Sequence, residues 1–194
     1  HPAYGHGGEI ALNYMMREYG GFEGNAQTLR IVSRLEPYSD GHGMNLTRRT
    51  LLGFIKYPAF IDDLWHTIPQ HDPKRAFIKA DDWRPAKGLY QDDRETFDWI
   101  VDPLSAKDKS NLSQFSKLDP FRSKTRFKSL DAAIMELADD IAYAVHDLED
   151  AIATEQITLK EWENYAVPAL DKVNFSWLET RELTERLFLN SDTA

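Results

Sequence analysis

The stretch that decides the fold is residues 129–155, SLDAAIMELADDIAYAVHDLEDAIATE, which carries the longest uninterrupted helical pattern in the chain. Its apolar residues recur at spacings of three, four and seven, and therefore form one stripe along a helix: Leu130, Ile134, Leu137, Ile141, Leu148 and Ile152. Ser129 is a suitable N-cap, and Asp131 lies in the first turn, where the helix dipole favours an acidic side chain. The pattern predicts a helix over residues 129–154.

A second, polar stripe lies almost opposite the apolar one and contains Asp139, Tyr143, His146 and Asp150, with Asp147 on its flank. Residues 129–155 contain eight acidic residues and no Lys or Arg. A solvated helix face usually mixes charges of both signs, because like charges at four-residue spacing repel each other. Two interpretations stay open: an ordinary wet face, or a face that contacts a cation or a substrate.

Outward from this helix, the rest of the chain also favours helices, and no strand pattern is convincing. We predict an all-α fold that forms one helical domain over residues 1–194. Thr158 and Glu161 match a capping box at the start of a helix, which Pro168 should disturb. The residues between 58 and 87 carry four prolines and predict a long irregular connection with short helical turns. The other predicted helices cover residues 8–19, 25–36, 46–57, 91–101 and 177–189.

The composition limits the classes of protein to which the chain can belong. Of its 194 residues none is Cys, which excludes disulfides and Cys-based zinc sites. The net charge of -9 argues against non-specific coating of nucleic acid. No apolar run approaches the roughly 20 residues that a membrane span requires. We therefore expect a cytoplasmic protein without a membrane partner.

The opening segment offers a second candidate site, in which His6 and Glu9 are three residues apart among glycines. At a helix start this spacing puts both side chains on one side. A carboxylate beside a histidine can hold its tautomer and raise its basicity, as acid–base catalysis requires. The competing interpretation is structural: His6 caps the helix and Glu9 satisfies the dipole of its first turn.

Four segments of the chain resemble the dGTPase-like deoxynucleoside triphosphate triphosphohydrolases, which are HD-domain proteins. The first, HPAYGHGGE at residues 1–9, is similar to the stretch that follows the HD pair in this family. The second, GFEGNAQTLRI at residues 21–31, is a long and specific match. The other two are residues 45–58, NLTRRTLLGFIKYP, and residues 138–150, which begin ADDIAY and end DLED. The resemblance implies a helical bundle of the HD type, of which this chain is one part.

The resemblance also implies roles for individual residues. His6 and Glu9 match a catalytic histidine and its carboxylate partner near the α-phosphate, and Lys56 and Tyr57 match residues at the triphosphate end. Asp139 matches the last ligand of a divalent metal, whereas Tyr143 and Asp147 match the pair that contacts the deoxyribose 3′-hydroxyl. The implied reaction converts a deoxynucleoside triphosphate to the deoxynucleoside and inorganic triphosphate. We expect Asp139, Tyr143 and His6 to converge on one pocket lined by helices.

The implied cofactor is manganese, magnesium or another divalent transition metal, held by two His and two Asp. Of these four ligands the chain contains only Asp139, and the resemblance places the others upstream of His1. One carboxylate does not hold a transition metal selectively. We therefore expect this chain alone to bind metal weakly and to be inactive, and the longer parent protein to be active.

Several alternatives stay open from the sequence. The chain could belong to another HD phosphohydrolase, acting on a monophosphate or an alarmone, or to a non-catalytic nucleotide-sensing or assembly module. Family members often form symmetric oligomers, so we expect a homo-oligomer. The basic run from Arg122 to Lys128 could contact single-stranded DNA, although a solvated loop explains it as well. The five tryptophans are interpreted as packing anchors: Trp65, Trp83, Trp99, Trp162 and Trp177.

Overall fold

The computed structural model describes residues 4–74, 77–173 and 179–188, and these residues are mostly helical. Two compact units divide the chain, at His1–Glu136 and Leu137–Ala194. The helices of the first unit are α1 (Gly5–Met15), α2 (Gly24–Arg30), α3 (Arg48–Phe54), α4 (Ile61–Leu64), α5 (Arg94–Val101) and α6 (Ala106–Leu112). Helix α7 (Leu130–Ala153) begins in the first unit and continues into the second. The second unit adds α8 (Leu159–Glu161), α9 (Val167–Val173) and α10 (Thr180–Phe188).

Most helices arise where the sequence predicts them. Helix α7 covers Leu130–Ala153, and the Ser129 hydroxyl accepts a hydrogen bond from the Ala132 amide at 3.1 Å, as an N-cap does. Helix α2 continues into a π-helical segment, Ile31–Leu35, so that the two together match the prediction for residues 25–36. The long irregular connection between residues 58 and 87 is confirmed, since α4 and a 3₁₀ turn at Ala80–Trp83 are the helical elements in its described part.

The hydrophobic core of the first unit joins α2, α3 and α5 to the chain segments around Phe60 and Leu89. Leu89 donates its amide to the Ala59 carbonyl at 2.7 Å, and Ile61 donates its amide to the Leu89 carbonyl at 2.9 Å. These two bonds hold the ends of the irregular connection side by side. The core is formed by Leu29, Val32, Leu51, Ile55, Phe60, Leu89 and Ile100.

A buried carboxylate fixes α5 against α2 at the edge of this core. Asp93 is 1% exposed and accepts hydrogen bonds from Arg30 Nε at 3.0 Å and Arg34 Nη1 at 3.1 Å. The Arg30 guanidinium also lies over the Tyr90 ring, 4.5 Å from its centroid. Because a buried charge is costly without a partner, this arrangement holds the residues directly before α5 against α2 and its π-helical continuation.

Three predictions about local structure were wrong. A short antiparallel hairpin pairs β1 (Phe115–Lys117) with β2 (Ser123–Thr125), and α6 occupies a region in which no helix was predicted. Three-residue strands are too short to produce a detectable alternation of apolar and polar residues. Helix α3 ends at Phe54 rather than at Tyr57, since the buried Ile55 leaves the helical conformation and the residue before Pro58 is excluded from it.

The apolar stripe of α7 is largely exposed, which is the opposite of what a helix packed on a core shows. Leu130 is 73% exposed, Leu137 61% and Ile141 57%, whereas Ala132 is completely buried. The small side chain at 132 lets the first turns of α7 approach α3 closely: the Ser129 hydroxyl lies 3.3 Å from the Leu52 carbonyl oxygen. Asp131 also accepts two hydrogen bonds from Arg49 of α3, at 3.0 and 2.9 Å. This end of α7 therefore contacts α3 through Ser129 and Asp131, with Ala132 buried beside them.

The second unit is organised around Trp162, which is 6% exposed and donates its indole N–H to the Thr184 hydroxyl at 2.9 Å. The predicted capping box is confirmed, with Thr158 and Glu161 bonded reciprocally at the start of α8. Pro168 lies within α9, directly after a π-helical segment at Trp162–Ala166. Of the other tryptophans, Trp83 is buried as predicted, Trp99 is 45% exposed with Arg48 stacked on its ring, and Trp177 lies outside the described residues.

Candidate active site

The candidate site is built around Glu9, in the middle of helix α1. Its side chain is 4% exposed, and each of its oxygens has a partner. Oε1 accepts a hydrogen bond from the Gly24 amide at 2.9 Å, and Oε2 accepts one from the Lys87 ammonium at 2.6 Å. Glu9 therefore accepts a free backbone N–H at the start of helix α2. The structural interpretation had instead placed Glu9 in the first turn of its own helix, where it would interact with that helix dipole.

Glu23 is a second buried carboxylate in the same place, with 0% exposure. It is the N-cap of α2: Oε2 accepts from the Ala26 amide at 2.7 Å, and Oε1 accepts from the Asn25 side chain at 2.7 Å. Oε1 also lies 3.2 Å from the Lys87 ammonium. Two carboxylates from different segments thus meet at one helix start, where the free N–H groups stabilise negative charge.

Lys87 supplies the counter-charge for both carboxylates. It lies two residues before Leu89, which is hydrogen-bonded to Ala59 and Ile61, and the backbones approach closely at its neighbour Gly88. A Cβ atom at position 88 would lie 2.6 Å from the Ala59 carbonyl oxygen, so that only glycine fits there without a shift of the backbone. The Lys87 side chain is 29% exposed, and its ammonium therefore lies between the buried carboxylates and solvent.

Tyr57 adjoins this group of charges, which we call the carboxylate–lysine cluster: Glu9, Glu23, Lys87 and Tyr57. Burial raises the pKa of the Tyr57 phenol above its ordinary value of 10.0. The positive charges of Lys56 and Lys87 oppose that rise, while Glu136 and Glu23 add to it. The phenol therefore stays protonated at neutral pH and can donate a hydrogen bond.

Lys56 connects the cluster to the first turns of helix α7. Its ammonium lies 3.3 Å from Glu136 Oε1 and 6.0 Å from the centroid of the Tyr57 ring. Lys128 donates a hydrogen bond to the other oxygen of Glu136. The hydrogen bond from Lys128 lowers the pKa of Glu136 below 4.5; burial opposes this, and the bond from Lys56 adds to the lowering. One carboxylate thus holds two ammonium groups at this end of the site.

The seven residues predicted for catalysis, metal binding and substrate binding fall into both units. His6, Glu9, Lys56 and Tyr57 belong to the first unit, where His6 is exposed and precedes the buried Glu9 by less than one turn of α1. The other three belong to the second unit and follow one another at four-residue spacing on helix α7: Asp139 is half-buried, Tyr143 is 39% exposed and Asp147 is exposed. The convergence of the two groups on one pocket stays a prediction.

A resident metal was predicted with Asp139 as one of its ligands. Within residues 4–74, 77–173 and 179–188, no three His, Asp or Glu side chains come together in a way that could hold a metal ion. The role of Asp139 as a metal ligand stays a prediction.

Sequence patterns missed Lys87, Glu23, Glu136 and Lys128 as parts of the site. Glu23 caps α2, but the residues that signal an N-cap in a sequence are Ser, Thr, Asp and Asn, and glutamate is not among them. Lys87 carried no signal either, because it is 78 residues from Glu9 and acquires its partners only in the folded chain. Glu136 was one of eight acidic residues in its stretch, and its lysine partners lie outside α7.

Comparison with known proteins gives a consistent result. No family model matches the chain. Among curated proteins, a deoxyguanosinetriphosphate triphosphohydrolase-like protein of Vibrio parahaemolyticus is 56% identical over 183 residues, which are 92% of this chain and 42% of the relative. Relatives of the same description from Pasteurella multocida and Vibrio cholerae are 50% and 54% identical over 197 residues, each covering 97% of this chain and 44% of the relative.

The chain belongs to the deoxyguanosinetriphosphate triphosphohydrolase-like family. It spans about two fifths of the length of the curated relatives that it matches. The alignment with these triphosphohydrolase-like relatives covers nearly the whole chain and therefore extends over both units. No helix in the part of the chain that the structure describes is both long enough and apolar enough to cross a membrane.

Proposed function

We propose that the triphosphohydrolase-like polypeptide carrying this chain hydrolyses deoxynucleoside triphosphates such as dGTP to the deoxynucleoside and inorganic triphosphate. Two observations support this: relatives that are 50–56% identical are described as deoxyguanosinetriphosphate triphosphohydrolase-like, and Lys56 and Tyr57 lie in the first unit within electrostatic reach of Lys87, the partner of Glu9. The second observation carries the proposal, because it links an acid–base candidate to cationic and phenolic groups suited to phosphate.

In the proposed reaction, water adds to the α-phosphorus and the bond from this phosphorus to the 5′-oxygen breaks. The 5′-oxygen leaves with a proton, and the water oxygen stays in the triphosphate. His6 is proposed either to accept a proton from the attacking water or to donate one to the leaving oxygen. Such acid–base catalysis conventionally raises the rate by about a hundredfold to ten-thousandfold. Glu9 is proposed to accept a hydrogen bond from the imidazole and to fix its tautomer.

Glu9 retains the capacity for this additional bond. An ionised carboxylate has about four acceptor sites. The hydrogen bonds from Gly24 and Lys87 use one site on each oxygen. The remaining sites allow Glu9 to accept an N–H from His6, which precedes it on the same helix.

Lys56 and Tyr57 are proposed to contact the triphosphate. Lysine binds phosphate as a point charge, and the Tyr57 phenol remains a donor at neutral pH because burial raises its pKa. The carboxylate of Glu136, which pairs with Lys56, would compete with the triphosphate for its ammonium. Asp139 is proposed as a ligand of a divalent metal, manganese or magnesium, which would offset phosphate charge when bound. Tyr143 and Asp147 are proposed to hold the deoxyribose 3′-hydroxyl.

A product analysis in ¹⁸O-labelled water tests the proposal. The full-length polypeptide is incubated with dGTP, and separately with the other deoxynucleoside triphosphates, in the presence of manganese or magnesium. We expect deoxynucleoside and triphosphate in equal amounts, with the label in the triphosphate, and we expect His6→Ala to abolish both products. Release of orthophosphate or pyrophosphate would identify another phosphohydrolase. Nucleotide binding without any turnover would favour a sensing module instead.

A further inference from the structure

The carboxylate–lysine cluster contains one residue to which neither the relatives' descriptions nor the proposed reaction gives a role. Lys87 is the cation between Glu9 and Glu23, at 2.6 Å from Glu9 Oε2 and 3.2 Å from Glu23 Oε1. Both carboxylates are at least 95% buried, and Lys87 forms an ion pair with each of them. This arrangement raises the question of what the ammonium does for Glu9.

We propose that Lys87 is a positioning residue for Glu9: its ammonium fixes the Glu9 carboxylate in the orientation in which it can accept a hydrogen bond from His6. This inference rests on the proposed function, because it gives Lys87 a role through the acid–base pair. It does not require Lys87 to touch the nucleotide.

The geometry supports positioning in two steps. First, Glu9 is held at both oxygens by groups from two different segments, Gly24 and Lys87, so that its side chain cannot rotate without breaking a hydrogen bond. Second, Lys87 is itself held, because its ammonium also contacts Glu23, which is anchored as the N-cap of helix α2. A carboxylate that is already fixed in this way loses less conformational entropy when it accepts a hydrogen bond from an imidazole.

The placement of Lys87 also argues against a loose surface ion pair. It lies two residues before Leu89, whose backbone is hydrogen-bonded to Ala59 and Ile61, and the adjacent Gly88 allows no side chain there. Surface pairs contribute little, since both partners remain mobile and solvated. Here both carboxylates are buried and the chain beside the lysine is held against residues 59–61, which makes the pairing a fixed feature of the first unit.

A double-mutant cycle on the full-length polypeptide tests the proposal. We expect Lys87→Met to lower kcat by about tenfold to a hundredfold with little change in KM, as misplacement of a catalytic group does. In a Glu9→Gln background the same change should lower kcat no further, because Lys87 acts through Glu9. Additive losses, or a rise in KM that persists in Glu9→Gln, would overturn the proposal, since Lys87 would then act on the nucleotide directly.

Two further variants complete the kinetic design. Lys79→Met removes a lysine of the same connection whose side chain is 71% exposed, and it should leave kcat unchanged. Lys87→Gln retains a hydrogen-bond donor to Glu9 and should recover part of the activity that Lys87→Met loses. It also serves in the cycle if Lys87→Met does not fold. A loss in Lys87→Gln as large as that in Lys87→Met would also contradict the proposal.

A measurement that needs no turnover separates this inference from the proposed function. The rate of lysine acetylation by an amine-reactive ester is followed by mass spectrometry. We expect Lys87 to react several times more slowly than Lys79, and Glu9→Gln to accelerate Lys87 alone. If no nucleotide is hydrolysed, the proposed function fails. The acetylation rates still test whether Glu9 holds the ammonium of Lys87. Equal rates in the wild type and Glu9→Gln would overturn the positioning role in either case.

Discussion

The ammonium of Lys56 lies 3.3 Å from a carboxylate oxygen of Glu136, the last residue of the first unit. Lys128 donates to the other oxygen of the same carboxylate. A lysine proposed to contact phosphate is therefore paired with a protein carboxylate. In the proposed function, a triphosphate would compete with Glu136 for the ammonium of Lys56.

Removal of Glu136 is expected to change the dependence of stability on pH. Hydrogen bonds from Lys128 and Lys56 lower the pKa of Glu136, so its stabilising contribution is present above pH 4.5 and is lost as the pH falls through the lowered value. We expect Glu136→Gln to reduce the free energy of unfolding by about 1 kcal/mol at pH 7 and by much less at pH 3. Urea denaturation across this range measures the difference. A penalty that does not depend on pH would contradict the assignment.

Asp93 is expected to be among the most sensitive polar positions of the first unit. Asp93→Asn removes the buried counter-charge of Arg30 and Arg34, and breaking a buried pair costs about 3–5 kcal/mol. The matched control is Asp92→Asn, whose carboxylate is 85% exposed and lies 3.8 Å from Arg30, and which should cost less than about 1 kcal/mol. Thermal and urea unfolding compare the two variants. Similar losses would show that burial of Asp93 is not what matters.

The Tyr57 phenol is expected to ionise above its ordinary value of 10.0, since burial raises its pKa. The difference in ultraviolet absorbance between the wild type and Tyr57→Phe, followed against pH, isolates this one phenol. In the folded protein the difference should develop only above pH 10, and in urea-unfolded protein near pH 10. Because burial favours the protonated phenol, the folded state keeps its full stability below pH 10 and loses stability as the pH rises through the raised pKa. A folded-state transition below 10 would refute the prediction.

The 194-residue chain alone is expected to release no measurable triphosphate from dGTP with manganese, at least about a hundredfold less than the full-length polypeptide. One carboxylate at position 139 is a poor metal site by itself. Ion-exchange separation of labelled products measures the release. Robust release by the isolated chain would contradict both this prediction and the expectation that the other ligands lie upstream.

Helices α1, α2, α3, α5 and α7 could be predicted because their signals are local, whereas α6 was missed. The periodicity of Leu130, Ile134 and Leu137, the Ser129 cap, and the Thr158–Glu161 capping box each depend on residues within one or two turns. The hairpin of β1 and β2 could not be predicted in the same way, since each strand has three residues and depends on backbone pairing with the other.

The candidate site was predicted only in part, for a related reason. Glu9 could be selected from its spacing to His6, but the spacing gave no information about its partners Gly24 and Lys87, which are 15 and 78 residues away. The exposure of Leu130 and Ile141 was equally invisible, because periodicity defines a helix face and not what covers it. The roles of Asp139, Tyr143 and Asp147 depend on the family resemblance and stay predictions.

Gly88 has no side chain, yet the identity of position 88 affects the chemistry of its neighbour. Its backbone passes so close to the Ala59 carbonyl oxygen that any larger residue would push the segment outward and carry the ammonium of Lys87 away from both carboxylates. A side chain at position 88 is therefore expected to weaken both ion pairs of Lys87. Gly88→Ala should lower activity although position 88 itself carries no charged or polar side chain.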